Sequence, residues 1–300
     1  MNAEPDWDLY RTFLAVVQEG SLSGAARRLG LTQPTVARHV DELERAVGAD
    51  LFLRSQRGLA PTDIGLELKP HAEALALEAA TLWRTASGRP DEVRGAVRVS
   101  AGEIVGVEHL PPILTQLRRQ HPGLVVELVL SNTVDDLLRR EADIAVRMVE
   151  PAQGALLARR LPPVRLGLHA RRDYLDRRGT PRTLKALAGH DVIGFDRETP
   201  AIRAMVARYP ALSRFEFALR ADSDLAQLAA IRAGFGIGVC QVSIARRDPN
   251  LVRVLEAEVA IDLSLWVVMH EDLKTSARCR ATFDALATGL QAIGQEGSGA

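Results

Sequence analysis

The sequence predicts an α/β protein in three parts: a small N-terminal helical unit ending in a hairpin, one long helix, and a larger α/β body. Three observations carry this. Apolar residues recur at three- and four-residue spacing through the first 47 residues, with Gly20, Gly30 and Gly48 as stops. Residues 63–87 then read as one long helical stretch that ends at Gly88-Arg89-Pro90-Asp91. From Val97 onward, short strand-like runs alternate with helical ones, the order that builds parallel βαβ units.

In the first helix Tyr10, Phe13, Leu14 and Val17 line one face, and Gly20 ends it. A second helix covers Leu22 to Leu29, capped by Ser21 or Ser23. Gly30, Leu31 and Thr32 link it to a third, in which Thr32 is the expected N-cap and Pro34 sits in the first turn, where a missing N–H costs nothing. On this third helix Val36, Val40, Leu43 and Val47 form an inward stripe, while Pro34, Arg38, Asp41 and Arg45 face away and Gln33 occupies the tip. Two helices joined by a tight turn, the second presenting Gln and Arg outward, make a helix-turn-helix. Gln pairs bidentately with adenine and Arg with guanine in the major groove. After Gly48, Leu51–Arg54 reads as a strand, 55–58 as a turn and Leu59–Thr62 as its return, a wing that puts Arg54 and Arg57 where phosphates or a narrow minor groove would lie. Position carries this reading, not bulk charge: residues 1–64 hold seven Arg and nine Asp or Glu.

The run FLAVVQEGSLSGAARRLGLTQPTVARHVDELERAVGADLFLR, followed by RG and APTDIG, resembles the LysR-type transcriptional regulators, specifically at the N-terminus and more weakly along the whole chain. The resemblance implies base contacts from Gln33, Pro34 and Arg38, with Thr35 and His39 beside them, and wing contacts from Arg54 and Arg57. Ala37 departs from the family, where a serine is common, and Asp63-Ile64-Gly65 departs where a small residue more often precedes the glycine. The expected organisation is a winged helix-turn-helix over 1–63, a linker and dimerisation helix with hinge over 64–92, and an effector-binding domain over 93–300. That last part is expected to resemble periplasmic solute-binding proteins, with one lobe over about 93–163 and 268–300 and a second over about 164–267. The chain would cross between lobes near Leu161–Arg165 and Val267–Glu271.

The long helix carries an apolar stripe of Ile64, Leu68, Leu75, Ala79 and Leu82, widened by Leu66 and Leu77, with Pro70 expected to kink or weaken it. Such a stripe needs a partner. From the residues alone that partner is the protein's own body or a second copy; the resemblance implies a homodimer and, beyond it, a tetramer. In the body, strands are expected at Val97–Ala101, Leu124–Leu130, Asp143–Arg147, Val164–His169, Val192–Phe195, Phe215–Leu219, Ile237–Cys240 and Leu263–His270. Helices are expected at Leu110–Gln120, Val134–Arg140, Ala201–Tyr209, Leu225–Ala233 and from Ser276 to Ala292.

Ligands of open α/β sheets bind outside the carboxyl ends of strands, often at helix N-termini. The strand-to-helix turns therefore nominate Ser100, Gly102, Glu103, Ser131, Asn132, Thr133, Arg147, Asp196, Thr199, Asp222 and Ser223 as effector contacts, with helix capping the plainer role for Thr133 and Ser223. Arg147 points to an anionic ligand and Glu103 to an ammonium group, so ligand charge stays open.

Other chemistry finds little footing. AGFGIG at 233–238 follows a helix and precedes a strand, the reverse of a dinucleotide fingerprint, and reads as a helix stop and tight turn. No GxxxxGK[ST], HExxH or CxxC occurs, the seven histidines do not cluster, and no cofactor, metal site or catalytic group is expected. Cys240 and Cys279 read as buried thiols of a reducing compartment and do not match the closer pair of peroxide-sensing relatives. Net charge is zero, 47% of residues are hydrophobic and 25% charged, as in ordinary globular chains. The opening MNAEPDWDLY lacks the pattern of a signal peptide, and no apolar run approaches ~18 residues, so a cytoplasmic protein without membrane contact is expected. The reading is a regulator that is not an enzyme, with double-stranded DNA, a small-molecule effector and its own copies as partners and RNA polymerase as a further candidate. A stand-alone solute-binding module and an α/β enzyme with a helical appendage are the weaker alternatives.

Overall fold

The computed structural model describes residues 5–55, 58–86, 92–132, 142–151, 156–199 and 216–298, with positions 202, 203 and 207 between. The chain divides into two compact units, Met1–Ala86 and the bulk of Ser87–Ala300.

The first unit starts with α1 (Trp7–Glu19), α2 (Leu22–Leu29) and α3 (Gln33–Val47). Asp6, Ser21 and Thr32 cap their N-termini through side-chain oxygens. Gly20, Gly30 and Gly48 end them with φ of 64°, 68° and 78°, a left-handed turn in which a Cβ is strained. Their inward faces meet in a core of Phe13, Leu14, Ala15, Val16, Ala25, Ala26, Val36, Val40 and Leu43. Phe13 and Leu43 are wholly buried, and each contributes about 1.5–3 kcal/mol by leaving water. Val47, expected inward, is 39% exposed in the last turn of α3.

The hairpin pairs β1 (Phe52–Ser55) with β2 (Gly58–Pro61), Ser55 opposite Gly58. The first strand starts one residue later than expected: Leu51 is fully buried, and its N–H donates to Glu44 Oε1 at 2.7 Å, as does that of Phe52 at 3.2 Å. The α3 carboxylate thus fixes where the wing begins. Next, α4 (Asp63–Ala86) runs on through Pro70. Leu68, Ala72 and Ala76 pack on the core of its own unit. Of the expected stripe, Leu68 lies in that seam, whereas Ile64, Leu75 and Leu82 are 45%, 44% and 71% exposed.

The second unit is built on a seven-stranded sheet of β3 (Gly95–Ala101), β4 (Leu124–Leu130), β5 (Ile144–Arg147), β6 (Leu156–Arg171), β9 (Gly238–Gln241), β10 (Leu251–Val254) and β11 (Ile261–His270). The order is β10-β6-β11-β5-β3-β4, with β9 also on β6. Only β3, β4 and β5 run parallel in it; β6 and β11 pair antiparallel. A separate parallel pair joins β7 (Ile193–Gly194) to β8 (Leu219–Arg220). The expected parallel βαβ order holds for β3, β4 and β5 but not for the 16-residue β6, which pairs antiparallel with β11 over Leu156–Leu166. Local alternation in the sequence cannot report strand direction, which crossover connections decide. The register of this pair shifts between Leu263 and Leu265, opposite Val164 and Leu161. Beyond the shift, Trp266–Met269 pair with β5.

The helices are α5 (Glu103–Glu108), α6 (Leu110–Gln120), α7 (Arg172–Arg178), α8 (Asp224–Arg232), α9 (Val242–Ala245) and α10 (Ala277–Ser298). The short α5, α7 and α9, and the strand β10, escape sequence reading because they are too brief for periodicity. The helix expected at Val134–Arg140 and most of that at Ala201–Tyr209 lie outside the described residues. At AGFGIG, α8 has ended, Gly234 takes φ +75°, and a Cβ on Gly236 would strike the Asp191 carbonyl oxygen. The glycines thus let the chain pass closely into the parallel bridge Val192–Ile237. Cys240 and Cys279 are both buried thiols, and burial pushes the Cys240 thiol up to about 12.

Candidate functional site

In the first unit the tip of α3 is open. Gln33, Pro34 and Arg38 are exposed, opposite the buried Val36, Val40 and Leu43. Arg38 takes no ion pair among the described residues. Thr35 is half-buried; its N–H donates to Thr32 Oγ1 at 3.3 Å, and the two hydroxyls stand 2.8 Å apart. His39 is half-buried, with Nδ1 2.9 Å from Oγ1 of Thr12 on α1. Arg54 belongs to β1, but its side chain lies outside the described residues, as does all of Arg57. A helix end with Gln and Arg outward and an apolar stripe inward can present hydrogen-bonding groups to the edges of base pairs.

In the second unit the structure gathers some of the nominated residues and separates others. Ser100 at the end of β3 and Arg147 at the end of β5 are buried together, with Arg147 donating to Ser100 Oγ at 2.7 Å and to the Val146 carbonyl at 3.1 Å. The guanidinium is a buried brace between adjacent strands, not an exposed anion hook. Elsewhere in this unit the N-termini of α5 and α8 come together. Asn132 Oδ1 accepts from the Glu103 N–H at 3.0 Å, capping the helix that Gly102 cannot cap by side chain. Asn132 Nδ2 donates to Asp224 Oδ2 at 3.1 Å, and Ser223 Oγ donates to Glu103 Oε2 at 2.9 Å. Asp224, the first residue of α8, was not nominated; in the sequence it passes for a routine first-turn acid. Burial, and after it the Glu103 charge, raise its carboxyl above the usual value, against the Asn132 hydrogen bond.

Ser131 is half-buried, and its N–H donates to the Ala101 carbonyl. Asp222 turns to Arg197, accepting from its N–H at 2.8 Å and pairing with its guanidinium at 3.2 Å. Thr199 Oγ1 accepts from the Ile202 N–H at 3.2 Å, a capping role, and Asp196 is exposed on a bend. Asp222, Thr199 and Asp196 make no side-chain hydrogen bond or ion pair to the Glu103 group among the described residues. Thr133 lies outside the described residues.

A second set of contacts ties α5 to the segments around it. Arg232 at the end of α8 holds Glu108 by two bonds of 2.6 and 3.0 Å, which lowers the Glu108 carboxyl. Arg247 donates to the Glu108 carbonyl at 2.8 Å and reaches His109 Nδ1 at 2.9 Å, while His109 Nε2 meets Gln241 Oε1 at 2.8 Å. Periodicity gives no sign of this network, whose members are far apart in sequence.

Residues 7–66 match the family described as bacterial regulatory helix-turn-helix protein, lysR family, and residues 90–291 match the LysR substrate binding domain. The chain is 30% identical over 302 residues to a probable HTH-type transcriptional regulator LtrA of Klebsiella pneumoniae, covering 98% of this chain and 96% of that protein. It is similar to the solved structure of CrgA, a LysR-type transcriptional regulator from Neisseria meningitidis, at 25% identity and a TM-score of 0.59, covering 96% of this chain and 99% of the other. Full-length CbnR, solved in complex with its target DNA, shares the fold at a TM-score of 0.65 and 18% identity, covering 95% of this chain and 99% of the other.

Proposed function

The chain belongs to the LysR-type family of DNA-binding transcriptional regulators with an effector-binding domain, and from that premise we propose how its own residues divide the work. The start of α3 enters the major groove, with Gln33, Pro34, Thr35, Arg38 and His39 at the bases and Arg54 and Arg57 of the wing at phosphates. The observation that carries this is the exposure of Gln33 and Arg38 directly opposite a fully packed apolar stripe. A side chain that reads a base edge must keep a hydrogen-bonding atom free of its own fold.

The division of labour is 1–63 for DNA, 64–92 for linkage and self-association, and 93–300 for the effector, with one lobe over about 93–163 and 268–300 and the second over about 164–267. Two copies pair through the Ile64, Leu75 and Leu82 stripe, and two such dimers make the tetramer. A small polar metabolite binds where α5 and α8 meet, contacting Gly102, Glu103, Asn132, Ser223 and Asp224. With Arg147 already braced and two carboxylates at the mouth, a ligand with an ammonium group or several hydroxyls fits better than an anion. The ligand acts on DNA binding only in so far as it prefers one arrangement of the protein over another.

Among the described residues no group of three or more His, Cys, Asp or Glu side chains could hold a metal, and no helix is long and apolar enough to cross a membrane. The protein works as a regulator without turnover, in the cytoplasm with its DNA, and RNA polymerase is the partner through which an activating complex would act. The test is a DNA-binding assay on the region upstream of its own gene, with and without candidate metabolites. A protected site whose extent changes with one metabolite supports the reading. Steady conversion of that metabolite, with no protected site, refutes it.

A further inference from the structure

Thr12 is 1% exposed on α1, and its hydroxyl makes two contacts. Oγ1 stands 2.8 Å from the Asp8 carbonyl oxygen and 2.9 Å from His39 Nδ1. A hydroxyl has one proton to give. Two oxygens at 2.8 Å with no proton between them repel, so the Thr12 proton goes to Asp8. The Thr12 oxygen then serves His39 as an acceptor, and Nδ1 must donate. In a neutral imidazole only one nitrogen carries hydrogen, so Nε2 is left with a bare lone pair. Nε2 takes no hydrogen bond among the described residues and is not one of the buried unpaired atoms. His39 lies one turn beyond Thr35 on the flank of α3, between exposed Arg38 and buried Val40.

We propose that His39 determines specificity by accepting a hydrogen bond at Nε2 from a base amino group, N4 of cytosine or N6 of adenine, and that Thr12 is the positioning residue that fixes the tautomer. This rests on the reading that α3 enters the major groove. There, cytosine and adenine offer amino donors, whereas guanine presents N7 and O6 and thymine O4, all acceptors. A bare Nε2 gains a bond from the first pair and meets lone pairs on the second. Arg38 can only donate and Gln33 can do both, so His39 adds a demand that neither of them makes. Thr12 exerts its effect from another helix, through which nitrogen of the ring carries hydrogen.

Two measurements test the two halves. In a long-range 1H–15N spectrum of the full-length, histidine-labelled protein at pH 8, His39 (identified by its loss in H39Q) should show a protonated Nδ1 and an unprotonated Nε2. T12V should move it toward a mixture and T12S should restore it. An Nε2–H signal in the wild type overturns the proposal. For DNA, the full-length protein selects sites from a randomised duplex library, and the enriched site is remade with each base pair at every position. At one position the amino-bearing bases should be favoured about tenfold. H39A should flatten that position. H39K, a pure donor, should turn it toward guanine. T12V should weaken the discrimination and T12S restore it, with melting temperature confirming that each variant folds. A specific site whose preferences are all unchanged by H39A overturns the His39 role and leaves the DNA reading standing. A selection that enriches nothing overturns the DNA reading itself, and this proposal with it.

Discussion

Ser223 Oγ accepts from the Ala226 N–H at 3.5 Å and donates to Glu103 Oε2 at 2.9 Å, so one hydroxyl closes the N-terminus of α8 and holds a carboxylate from the first turn of α5. Replacing Ser223 by Ala removes a helix cap and frees Glu103 at once. S223A should lower stability by about 1–2 kcal/mol, and S223T should recover most of it. Urea denaturation with matched slopes measures it; an unchanged midpoint would show that the contact contributes nothing.

Asp224 sits beside this bond with its carboxyl raised by burial and by Glu103. A carboxyl whose folded value exceeds its unfolded one binds more protons in the folded state. Its penalty is therefore present at neutral pH and relieved as pH falls through the raised value. D224N should be no less stable than wild type at pH 7, and the difference should move in favour of wild type on acidification. Melting curves of both proteins between pH 7 and pH 4 give the comparison.

His169 runs the other way. It is 1% exposed, and burial lowers its value to about 4, aided by Arg253 and opposed by its hydrogen bond to the Gly167 carbonyl. The unfolded chain takes up the proton first, so the stability this neutral ring confers is intact above pH 6.5 and lost progressively down to about pH 4. The full loss is about 3 kcal/mol. In denaturant titrations, H169Q should show a shallower decline than wild type between pH 6.5 and 4.5.

Arg38 is exposed near the tip of α3 and takes part in no ion pair among the described residues. R38A should weaken specific binding by roughly 1–3 kcal/mol and relax preference at one position. Its melting temperature should stay within a degree or so of wild type. Footprinting that shows full protection by folded R38A would place the reading face elsewhere.

Leu75 and Leu82 are 44% and 71% exposed on α4, about three turns and one turn from its end. A glutamate at either position should yield monomers in sedimentation and abolish cooperative binding to paired half-sites. The unit's own core should survive, because its α4 contacts come from Leu68, Ala72 and Ala76.

The first unit was legible in the sequence nearly residue by residue. Its helices are bounded by Ser21, Thr32, Gly20, Gly30 and Gly48, and caps and stops act within four residues of the backbone groups they satisfy. The outward set on α3 followed from the 100° step alone. In the second unit the strands from Val97 and Leu124 and the helix from Leu110 were equally plain, because each buries a face long enough to leave a period. What only the tertiary structure decided is how distant segments meet. It turned β6 and β11 antiparallel, shifted their register between Leu263 and Leu265, and buried Arg147 against Ser100. It chose Asp224 over Asp196 and Asp222 as the neighbour of Glu103 and Asn132, and bound His39 to Thr12 across 27 residues. The sequence by itself determined the elements, because caps and periodicity are local. Register, burial of charge and the tautomer of a ring belong to contacts between elements, which no window of neighbouring residues contains.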